Sequence, residues 1–344
     1  MIMQKSRCLY LGLAVSAFFI AGSALAGSTF DKVKEQGYVQ CGVGGDLPGF
    51  SNVDDDGNWS GIDVDVCHAI AAAMFDDADK VRFTPLTTKE RLTALQSGEI
   101  DVLSRNASWT LTRDAKLGLN FTGTTFYDGQ GFMVKKDLGV DSIDELDGAA
   151  VCVLSGTTTE MNLADYFRSH GMDYTPVTYD KAESTSRAFD KGRCDVLTSD
   201  RSQLSSLRLE LQDPDSAKVL PELISKEPLG PAVRHGDDEW FDLVKWTLFA
   251  MKNAEFLGVN SDNVDDMRDS DNPAVQRLLG SGGHDDMGKH LGVSGDWAYN
   301  IVKQVGNYAE IYDRNVGKDS HLQIERGSNR LWIDGGIQYA PPLR

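Results

Sequence analysis

Two successive runs of strand, helix and strand constrain the fold of this chain more than any other feature of its sequence. In the first run, residues 81–86 have a strand pattern, residues 89–97 have a helical pattern ended by Gly98, and residues 101–104 form a second strand. The same order starts again at residues 149–154. Such units build mostly parallel sheets flanked by helices, which bind ligands at the carboxyl ends of their strands. The sequence therefore predicts an α/β fold.

The second unit is enclosed by two segments that indicate crossovers between lobes. An extended run at residues 131–135 precedes it, and a segment containing Pro221, Pro228 and Pro231 follows it before an amphipathic helix at 237–252. A chain that crosses one boundary twice creates a hinge that can close around a ligand. We expect a first lobe, a second lobe, and a return to the first lobe with a C-terminal extension, in residues 27–131, 132–228 and 229–344. Within the extension, residues 296–312 predict one helix.

The first 26 residues have the pattern of a secretory signal peptide. Lys5 and Arg7 precede an apolar run of about a dozen residues, and Ala24, Leu25 and Ala26 precede Gly27. A membrane-spanning helix needs roughly 20 apolar residues, so the run is too short to cross a bilayer. We expect cleavage after Ala26 and a mature protein in the periplasm.

The charge of the chain argues against nucleic acid as a partner. Its formal net charge is −18, and removal of the signal peptide lowers this to about −20. A strongly acidic protein is repelled by nucleic acid and by anionic membrane surfaces. The remaining residues are numerous enough for two ordinary lobes with their own cores.

Four cysteines remain after export into an oxidising compartment, where an even number usually forms disulfides. Three pairings are possible. Cys41 ends the first predicted strand and Cys67 opens the next helix, while Cys152 and Cys194 both lie in strands of the middle segment. We therefore expect the pairs Cys41–Cys67 and Cys152–Cys194, with a zinc site as the weaker alternative.

The loop that follows the strand at residues 101–104 carries the residue types that bind a free amino acid. Arg113 presents a planar guanidinium group that can hold a carboxylate through two parallel hydrogen bonds. Ser108 adds a hydroxyl donor to the same loop. An ion pair of Arg113 with Asp114 and a helix-capping role for Ser108 are the structural alternatives. We predict that Arg113 binds the ligand carboxylate.

The second lobe offers a matching set of groups. Thr157 and Thr158 lie where a strand gives way to a helix, so their amides and hydroxyls can face an anion, although Thr157 with Glu160 also fits a capping box. Asp200 follows the strand at 194–198 and is the natural partner for a ligand ammonium group, with a salt bridge to Arg201 as the alternative. Recognition would then be divided between the lobes.

Three aromatic residues are candidates for the wall that receives the ligand side chain, namely Phe50, Trp59 and Trp109, with Phe50 ranked first. Buried aromatics are more often core residues. The acidic turn at residues 54–57 lacks the glutamate that closes an EF-hand loop, so a calcium site is not predicted. The sequence calls for no metal or other cofactor.

Six blocks of the sequence together resemble the polar amino acid-binding proteins of ABC importers, which share the type II periplasmic binding fold. They are GIDVD at 61–65, LQSGEIDV at 95–102, SWTLTR at 108–113, LDG at 146–148, SGT at 155–157 and GRCDV at 192–196. The tail, with NYAEIY at 307–312 and GGIQYAPP at 335–342, is similar to the long subgroup of general L-amino acid-binding proteins.

The resemblance implies a fold, a function and a set of site residues. It implies a two-lobed type II binding protein with mostly parallel sheets and two hinge crossovers. The family's carboxylate-binding arginine falls on Arg113 and its Ser/Thr on Ser108, while the threonine after Ser-Gly falls on Thr157 and the ammonium-binding aspartate on Asp200. Many relatives place an aspartate in the first glycine loop and an aromatic residue just before the Pro-x-Phe turn, where this chain has Gly44, Gly45 and Leu47. This difference suggests a broad receptor.

We therefore expect a monomeric, non-enzymatic binding protein that delivers L-amino acids to an inner-membrane permease with its ATPase subunits. Two alternatives stay open. One is an exported dehydratase-like enzyme of the same fold, for which Glu160 is the loop candidate for a proton donor. The other is a chemosensory module that presents the closed, ligand-bound surface to a sensor.

Overall fold

A computed structural model of the chain describes residues 28–344. The predicted signal peptide, residues 1–26, lies outside the described residues together with its cleavage site. Among the helices that the structure describes, none combines the length and the apolar character needed to cross a membrane.

The strands and helices alternate through most of the chain. The strands, numbered in chain order, are β1 (Val39–Val43), β2 (Asp46–Leu47), β3 (Ser51–Val53), β4 (Trp59–Ser60), β5 (Val81–Pro85), β6 (Val102–Leu103), β7 (Leu119–Phe121), β8 (Phe126–Asp128), β9 (Gln130–Lys135), β10 (Ala150–Leu154), β11 (Thr175–Tyr179), β12 (Val196–Asp200), β13 (Ala217–Val219), β14 (Glu227–Leu229) and β15 (Ala232–Arg234).

The α-helices are numbered in the same way. They are α1 (Thr29–Gln36), α2 (Ile62–Phe75), α3 (Arg91–Ser97), α4 (Thr158–His170), α5 (Ala182–Asp190), α6 (Arg201–Leu209), α7 (Asp238–Phe256), α8 (Val264–Met267), α9 (Pro273–Leu279), α10 (Trp297–Gln304) and α11 (Tyr308–Asn315).

Two five-stranded sheets confirm the predicted mostly parallel architecture. The first has the order β5-β1-β6-β15-β7 and the second β11-β10-β12-β9-β13. In each sheet of the described chain a single strand runs against the others, β15 in the first and β9 in the second. Each of these is the strand that enters its sheet directly after a crossover, which explains its reversed direction. We call the parts built on the two sheets lobe 1 and lobe 2.

The two crossovers pair with each other between the lobes. Strand β8 leads from lobe 1 to lobe 2, β14 leads back, and the two form an antiparallel ladder in which Phe126 faces Leu229 and Asp128 faces Glu227. A short ribbon of this kind joins the lobes without a shared core. The type II periplasmic binding fold predicted from the sequence is confirmed.

The core of lobe 1 is formed by α2 together with the helices of the C-terminal half. Ile70 of α2, Trp240 of α7 and Trp297 of α10 are all buried in one apolar cluster. Gly61 at the start of α2 has a φ of +125°, and a Cβ there would lie 2.1 Å from the carbonyl oxygen of Phe50. Only a glycine therefore fits at this position of the GIDVD block, because any side chain would collide with the backbone at Phe50.

Both disulfides of the described chain have the predicted pairing. Cys41 on β1 joins Cys67 on α2, with Cα atoms 6.3 Å apart, and Cys152 on β10 joins Cys194, with Cα atoms 5.6 Å apart. Cys194 precedes β12 rather than lying in it, and Cys67 lies inside α2 rather than at its start. Each bridge links two elements of one lobe, so it leaves the movement between the lobes free.

The single helix predicted over residues 296–312 is wrong, because the chain forms α10 and α11 separately. Gly306 adopts a φ of +102°, which breaks the helix. Asn307 then starts α11 with a reciprocal capping box, in which its side chain accepts from the Glu310 amide and the Glu310 carboxylate accepts from the Asn307 amide. Capping at Asn307 therefore outweighs the continuous apolar pattern.

Candidate functional site

A cavity between the lobes lies at the carboxyl ends of the parallel strands, where such sheets bind ligands. Lobe 1 contributes residues that follow β5 and β6, and lobe 2 contributes residues that follow β10 and end β12. We call it the central cavity; the lining residues used below are Arg91, Arg105, Ser108, Thr157, Thr158, Asp200 and Gln203. Four of the predicted ligand-binding residues, Ser108, Thr157, Thr158 and Asp200, are therefore brought together.

Arg113 lies in a π-helical turn, Thr112–Lys116, and its side chain is buried. Its Nη1 donates a hydrogen bond to the carbonyl oxygen of Ser108 at 2.8 Å. Its other side-chain nitrogens have no hydrogen-bond partner among residues 28–344. Burial lowers the pKa of the Arg113 guanidinium, and the negative charges of Glu227 and Asp200 oppose this shift. The group is thus fixed at one nitrogen, and Arg113 itself is not among the residues that line the central cavity of the closed form.

Ser108 lies at the junction of lobe 1 with the second crossover. It forms an isolated bridge with Leu229 of β14, and the next amide, of Trp109, donates to the Pro228 carbonyl at 2.8 Å. The Ser108 hydroxyl is 3.3 Å from the hydroxyl of Thr158 on lobe 2. This backbone pairing holds the hydroxyl at the point where the lobes meet.

Thr157 and Thr158 lie at the start of α4, where the first amides of the helix lack intrahelical acceptors. Thr157 is the N-cap: its hydroxyl accepts from the Glu160 amide at 3.2 Å and donates to the Leu154 carbonyl at 2.6 Å. The Thr158 hydroxyl donates to Glu227 at 2.9 Å. The Thr157 hydroxyl is thus fully engaged, and its available group for an anion is the backbone amide.

Asp200 ends β12 and is only 6% exposed. Its Oδ1 has no hydrogen-bond partner within the described part of the chain. Burial raises the pKa of the Asp200 carboxyl well above its ordinary value, and the negative charges of Asp128 and Glu227 raise it further, while Arg91 and Arg113 act in the opposite direction. A buried carboxylate with an unpartnered oxygen is a receptor for a cationic group.

The structure does not bring Phe50 and Trp109 to the central cavity. Phe50 is 1% exposed and packs edge-on against Phe126 in the core of lobe 1. Trp109 is 42% exposed, stacks on Phe121, and donates its indole N–H to Asp114 at 2.6 Å. Their position does not support the predicted apolar wall, because one ring is used in the core and the other faces solvent.

Two arginines in the cavity were missed by the sequence interpretation. Arg91 is the first residue of α3, and its Nη1 donates to the Arg105 carbonyl at 3.1 Å while its Nε is unpartnered in the described chain. Arg105 follows β6 by two residues, and its Nε donates to the Leu86 carbonyl at 2.7 Å. The same rule that selected Arg113, a cation after a buried strand, would also have selected Arg105.

A third missed residue is Glu227, at the start of the second crossover. It is buried, and it accepts hydrogen bonds from Thr158, from Asn162 at 2.8 Å and from Ser225 at 2.7 Å. Its negative charge also raises the pKa of the Arg113 guanidinium, against the effect of burial. Its position within a proline-rich segment gave no sequence pattern that distinguished it from an ordinary loop carboxylate.

The lobes are closed in this structure. The central cavity has room for the centre of a water molecule in only about 20 Å³, close to the space of one water. Besides the Ser108–Thr158 contact, the Thr88 hydroxyl donates to the Ser155 carbonyl on the other lobe at 2.9 Å. An amino acid therefore requires the lobes to separate before it can enter. Among residues 28–344, no cluster of three or more His, Cys, Asp and Glu side chains is arranged to hold a metal ion.

Comparisons with known proteins agree with this geometry. The family model of the bacterial extracellular solute-binding proteins, family 3, matches residues 39–258. A putative amino-acid ABC transporter-binding protein, YhdW, of Escherichia coli is 56% identical over 99% of this chain and all of the relative. The general L-amino acid-binding periplasmic protein AapJ of Rhizobium johnstonii is 54% identical over 99% of this chain and all of the relative.

A solved structure extends the similarity to the fold of nearly the whole chain. The ABC transporter periplasmic binding protein from Brucella ovis, with glutathione bound, has a TM-score of 0.91 and 51% sequence identity. The matched region covers 92% of this chain and 100% of the Brucella ovis chain. With the match of the family model, these findings show that the chain belongs to the bacterial extracellular solute-binding proteins, family 3.

Proposed function

We propose that this chain is the periplasmic substrate-binding component of an ABC importer, and that it captures free L-amino acids by their α-carboxylate and α-ammonium groups. The observation that carries the proposal is the pair formed by Arg113 and Asp200. Both are buried, they lie on opposite lobes, and each has side-chain atoms left without a hydrogen bond in the described chain. A zwitterion supplies one group for each.

The α-carboxylate would bind to Arg113 and to the hydroxyl of Ser108 on lobe 1, and to the first amides of α4 on lobe 2. Amides at a helix N-terminus favour an anion, because they are unpaired and carry partial positive charge. The α-ammonium group would bind to Asp200, whose Oδ1 is free. Ligand contacts from both lobes would favour the closed form, which is how binding drives closure.

Recognition through groups that all amino acids share supports broad specificity. The relative AapJ is named as a general L-amino acid-binding protein. The Brucella ovis structure holds glutathione, whose γ-glutamyl end carries both a free α-carboxylate and a free α-ammonium group. The same pair of residues can therefore accept ligands with very different remaining parts.

The chemistry of the cavity supports binding rather than catalysis. Its lining residues in the described chain include no histidine, cysteine or lysine, so the serine and threonine hydroxyls there have no histidine or lysine beside them to act as a general base. Glu160, the candidate proton donor of the enzyme alternative, accepts a hydrogen bond from the Gly156 amide at 2.8 Å as part of the α4 cap. Its carboxylate is already used to hold the helix start.

We also propose that β8 and β14 form the hinge, with lobe 2 in residues 129–226 between them, slightly shifted from the predicted 132–228, and lobe 1 on either side. In the described chain the only strand that each of them pairs with is the other, and β14 has in addition one isolated bridge, between Leu229 and Ser108. A bend in this ribbon would change the angle between the lobes while leaving both sheets intact. Such bends at a few connecting residues are the usual basis of domain closure.

Titration calorimetry with each of the twenty amino acids tests the proposal. The protein is first unfolded and refolded to remove copurified ligand. We expect Arg113→Met to weaken every ligand roughly 100-fold, since charge-assisted hydrogen bonds contribute about 1.5–3 kcal/mol each. Lys116→Met is the matched control, because Lys116 lies exposed in the same turn. Wild-type affinity in Arg113→Met would contradict the assignment.

A further inference from the structure

A groove beside the crossover strands separates the C-terminal extension from lobe 2, and we call it the back groove. Strands β8 and β14 form its floor. One wall is formed by Ile324 and Ile337 of the extension, and the other by Ser205 of α6 and by Leu223. The back groove offers about 800 Å³ to the centre of a water molecule, and within the described chain it shares no lining residue with the central cavity. The two spaces are therefore distinct.

The pairing across the two crossover strands places the back groove and the central cavity on opposite sides of them. At the outer edge of β14, Leu229 forms a bridge with Ser108, which lines the central cavity. At the outer edge of β8, both backbone groups of Tyr127 bond to the side chain of Asn329, which lines the back groove. The order from one side to the other is thus central cavity, β14, β8 and back groove.

The extension wall of the back groove is fixed to lobe 1 and is not bonded to lobe 2. Arg326 forms two hydrogen-bonded contacts with the Glu255 carboxylate of α7, at 2.6 and 3.1 Å. The Gln338 side chain donates to the Tyr308 hydroxyl of α11 at 2.9 Å. Within the part of the chain that the structure describes, no hydrogen bond or salt bridge joins residues 317–344 to lobe 2. The two walls can therefore change their separation when the hinge bends.

A bend in the crossover strands changes the widths of the spaces on their two sides in opposite directions. When the central cavity widens to admit a ligand, Ser205 and Leu223 of lobe 2 approach Ile324 and Ile337 of the extension, and the back groove narrows. Contact between these side chains ends the movement, because closely packed side chains resist overlap. In the closed form the groove is wide, so the extension opposes only the open form.

We propose that the C-terminal extension sets the balance between the open and closed forms by limiting how far the two lobes can separate. The proposal rests on the proposed function, because it takes β8 and β14 as the hinge and the central cavity as the ligand cleft. Bulk added to the back groove destabilises the open form and leaves the closed form unchanged. A ligand gains affinity when the ligand-free protein already populates the form that holds it, so every ligand gains by the same factor.

Calorimetric titration of Ile337→Trp with L-glutamine and with L-leucine tests the proposal. We expect both amino acids to bind about 3- to 10-fold more tightly than to the wild type, by the same factor. Ile333→Trp is the matched control, because Ile333 is an equally exposed isoleucine of the extension that does not line the groove. Ser205→Trp adds the same bulk from the wall on lobe 2 and should give the same gain. Its control is Leu209→Trp, at the exposed end of α6.

Small-angle X-ray scattering of the ligand-free proteins measures the balance between the two forms directly. We expect a smaller radius of gyration for Ile337→Trp and for Ser205→Trp than for the wild type, and no change in the two control variants. A radius of gyration equal to or larger than that of the wild type in both groove variants would overturn the proposal. A gain in affinity for only one of the two amino acids would also overturn it, because a shift between forms acts on all ligands alike.

The two experiments separate failure of this proposal from failure of the proposed function. If the wild-type protein bound the amino acids and the groove variants matched their controls in affinity and radius of gyration, the proposed function would stand and the role of the extension would be overturned. If the wild-type protein bound no amino acid, the proposed function would be overturned. The scattering experiment contains no ligand, so it would still decide whether the extension limits the separation of the lobes.

Discussion

The hydroxyl oxygen of Ser108 on lobe 1 lies 3.3 Å from the hydroxyl oxygen of Thr158 on lobe 2. Together with the hydrogen bond from Thr88 to the Ser155 carbonyl, this contact closes the cleft over a space too small for an amino acid. Hydrogen bonds between neutral groups contribute only about 1 kcal/mol each. The closed form without ligand is therefore held weakly, and ligand contacts from both lobes are needed to favour it strongly.

An ion pair between the lobes should make a small, salt-dependent contribution to affinity. Lys89 Nζ lies 2.6 Å from Asp180 Oδ1, with both side chains more than half exposed. Exposed pairs of this kind contribute little and are screened by salt. We expect Lys89→Met to weaken amino acid binding by no more than about fivefold at low salt, with the difference lost in 1 M salt. Lys289→Met, which breaks an exposed pair away from the cleft, should have no effect on calorimetric affinity.

Binding of an amino acid should release a proton from Asp200. Burial, Asp128 and Glu227 raise the pKa of the Asp200 carboxyl, against the opposing charges of Arg91 and Arg113. An incoming ammonium group favours the ionised carboxylate, so the proton is lost on binding. Calorimetry at a series of pH values above 4, each in two buffers of different ionisation enthalpy, should show a pH range in which the apparent enthalpies differ, and the difference reports up to about one proton. Asp200→Asn should abolish this difference, and a buffer-independent enthalpy in wild type would contradict the prediction.

The same shift has a consequence for stability in the absence of ligand. Since the folded state binds the Asp200 proton more tightly than the unfolded state, whose pKa is near 3.8, the free energy of unfolding falls as the pH rises above about 4. The Asp128 carboxyl, with its pKa raised by burial to about 6, acts in the same direction. Asp200→Asn should make the fall above pH 4 shallower, as measured by urea denaturation at a series of pH values, and an unchanged slope would contradict the prediction.

The two disulfides should stabilise their lobes by similar amounts. They close loops of 26 and 42 residues, for which the loss of chain entropy in the unfolded state gives upper values of about 3.5 and 4 kcal/mol. We expect paired alanine substitution at Cys41 and Cys67, or at Cys152 and Cys194, to lower the free energy of unfolding by up to these amounts in guanidinium denaturation. Unchanged stability in both double variants would contradict the prediction.

The sequence predicted the order of the elements well because each strand and helix has a clear local pattern. It also predicted both disulfides, since Cys41 and Cys67 belong to adjacent elements. The break between α10 and α11 escaped because the apolar pattern continues through it, while the deciding features are the positive φ of Gly306 and the cap at Asn307. The local pattern of residues does not show whether a helix cap or the apolar periodicity of a continuous helix will prevail.

The sequence predicted residues of the candidate site only where the position of a residue along a strand determines the direction of its side chain. Asp200 ends β12 and Ser108 pairs with β14, so their proximity follows from topology. The direction of an aromatic ring depends on packing, which is why Phe50 was assigned to a ligand wall although it belongs to the core. Arg105 was missed although it follows a buried strand as Arg113 does, and its burial at the wall of the central cavity becomes visible only when the lobes are assembled.

The C-terminal extension should affect the hinge through Asn329. Its side chain is buried and pairs with the outer edge of β8 as another strand would: the Tyr127 amide donates to its Oδ1 at 2.7 Å, and its Nδ2 donates to the Tyr127 carbonyl at 3.1 Å. The family model ends at residue 258, so this contact is supplied by a segment outside it. A leucine there keeps the branching and number of the side-chain heavy atoms but leaves both backbone groups of Tyr127 without partners.

We expect Asn329→Leu to lower the free energy of unfolding by about 1–3 kcal/mol, the usual effect of leaving a polar group unpaired. Because β8 is a crossover strand, the same variant should also change amino acid affinity at least threefold. Asn300→Leu is the control, since Asn300 bonds to Asp76 within lobe 1 and should alter stability without altering affinity. If urea denaturation and calorimetry showed both variants to be destabilised with affinity unchanged, Asn329 would stabilise lobe 1 alone, and the extension would have no part in the hinge.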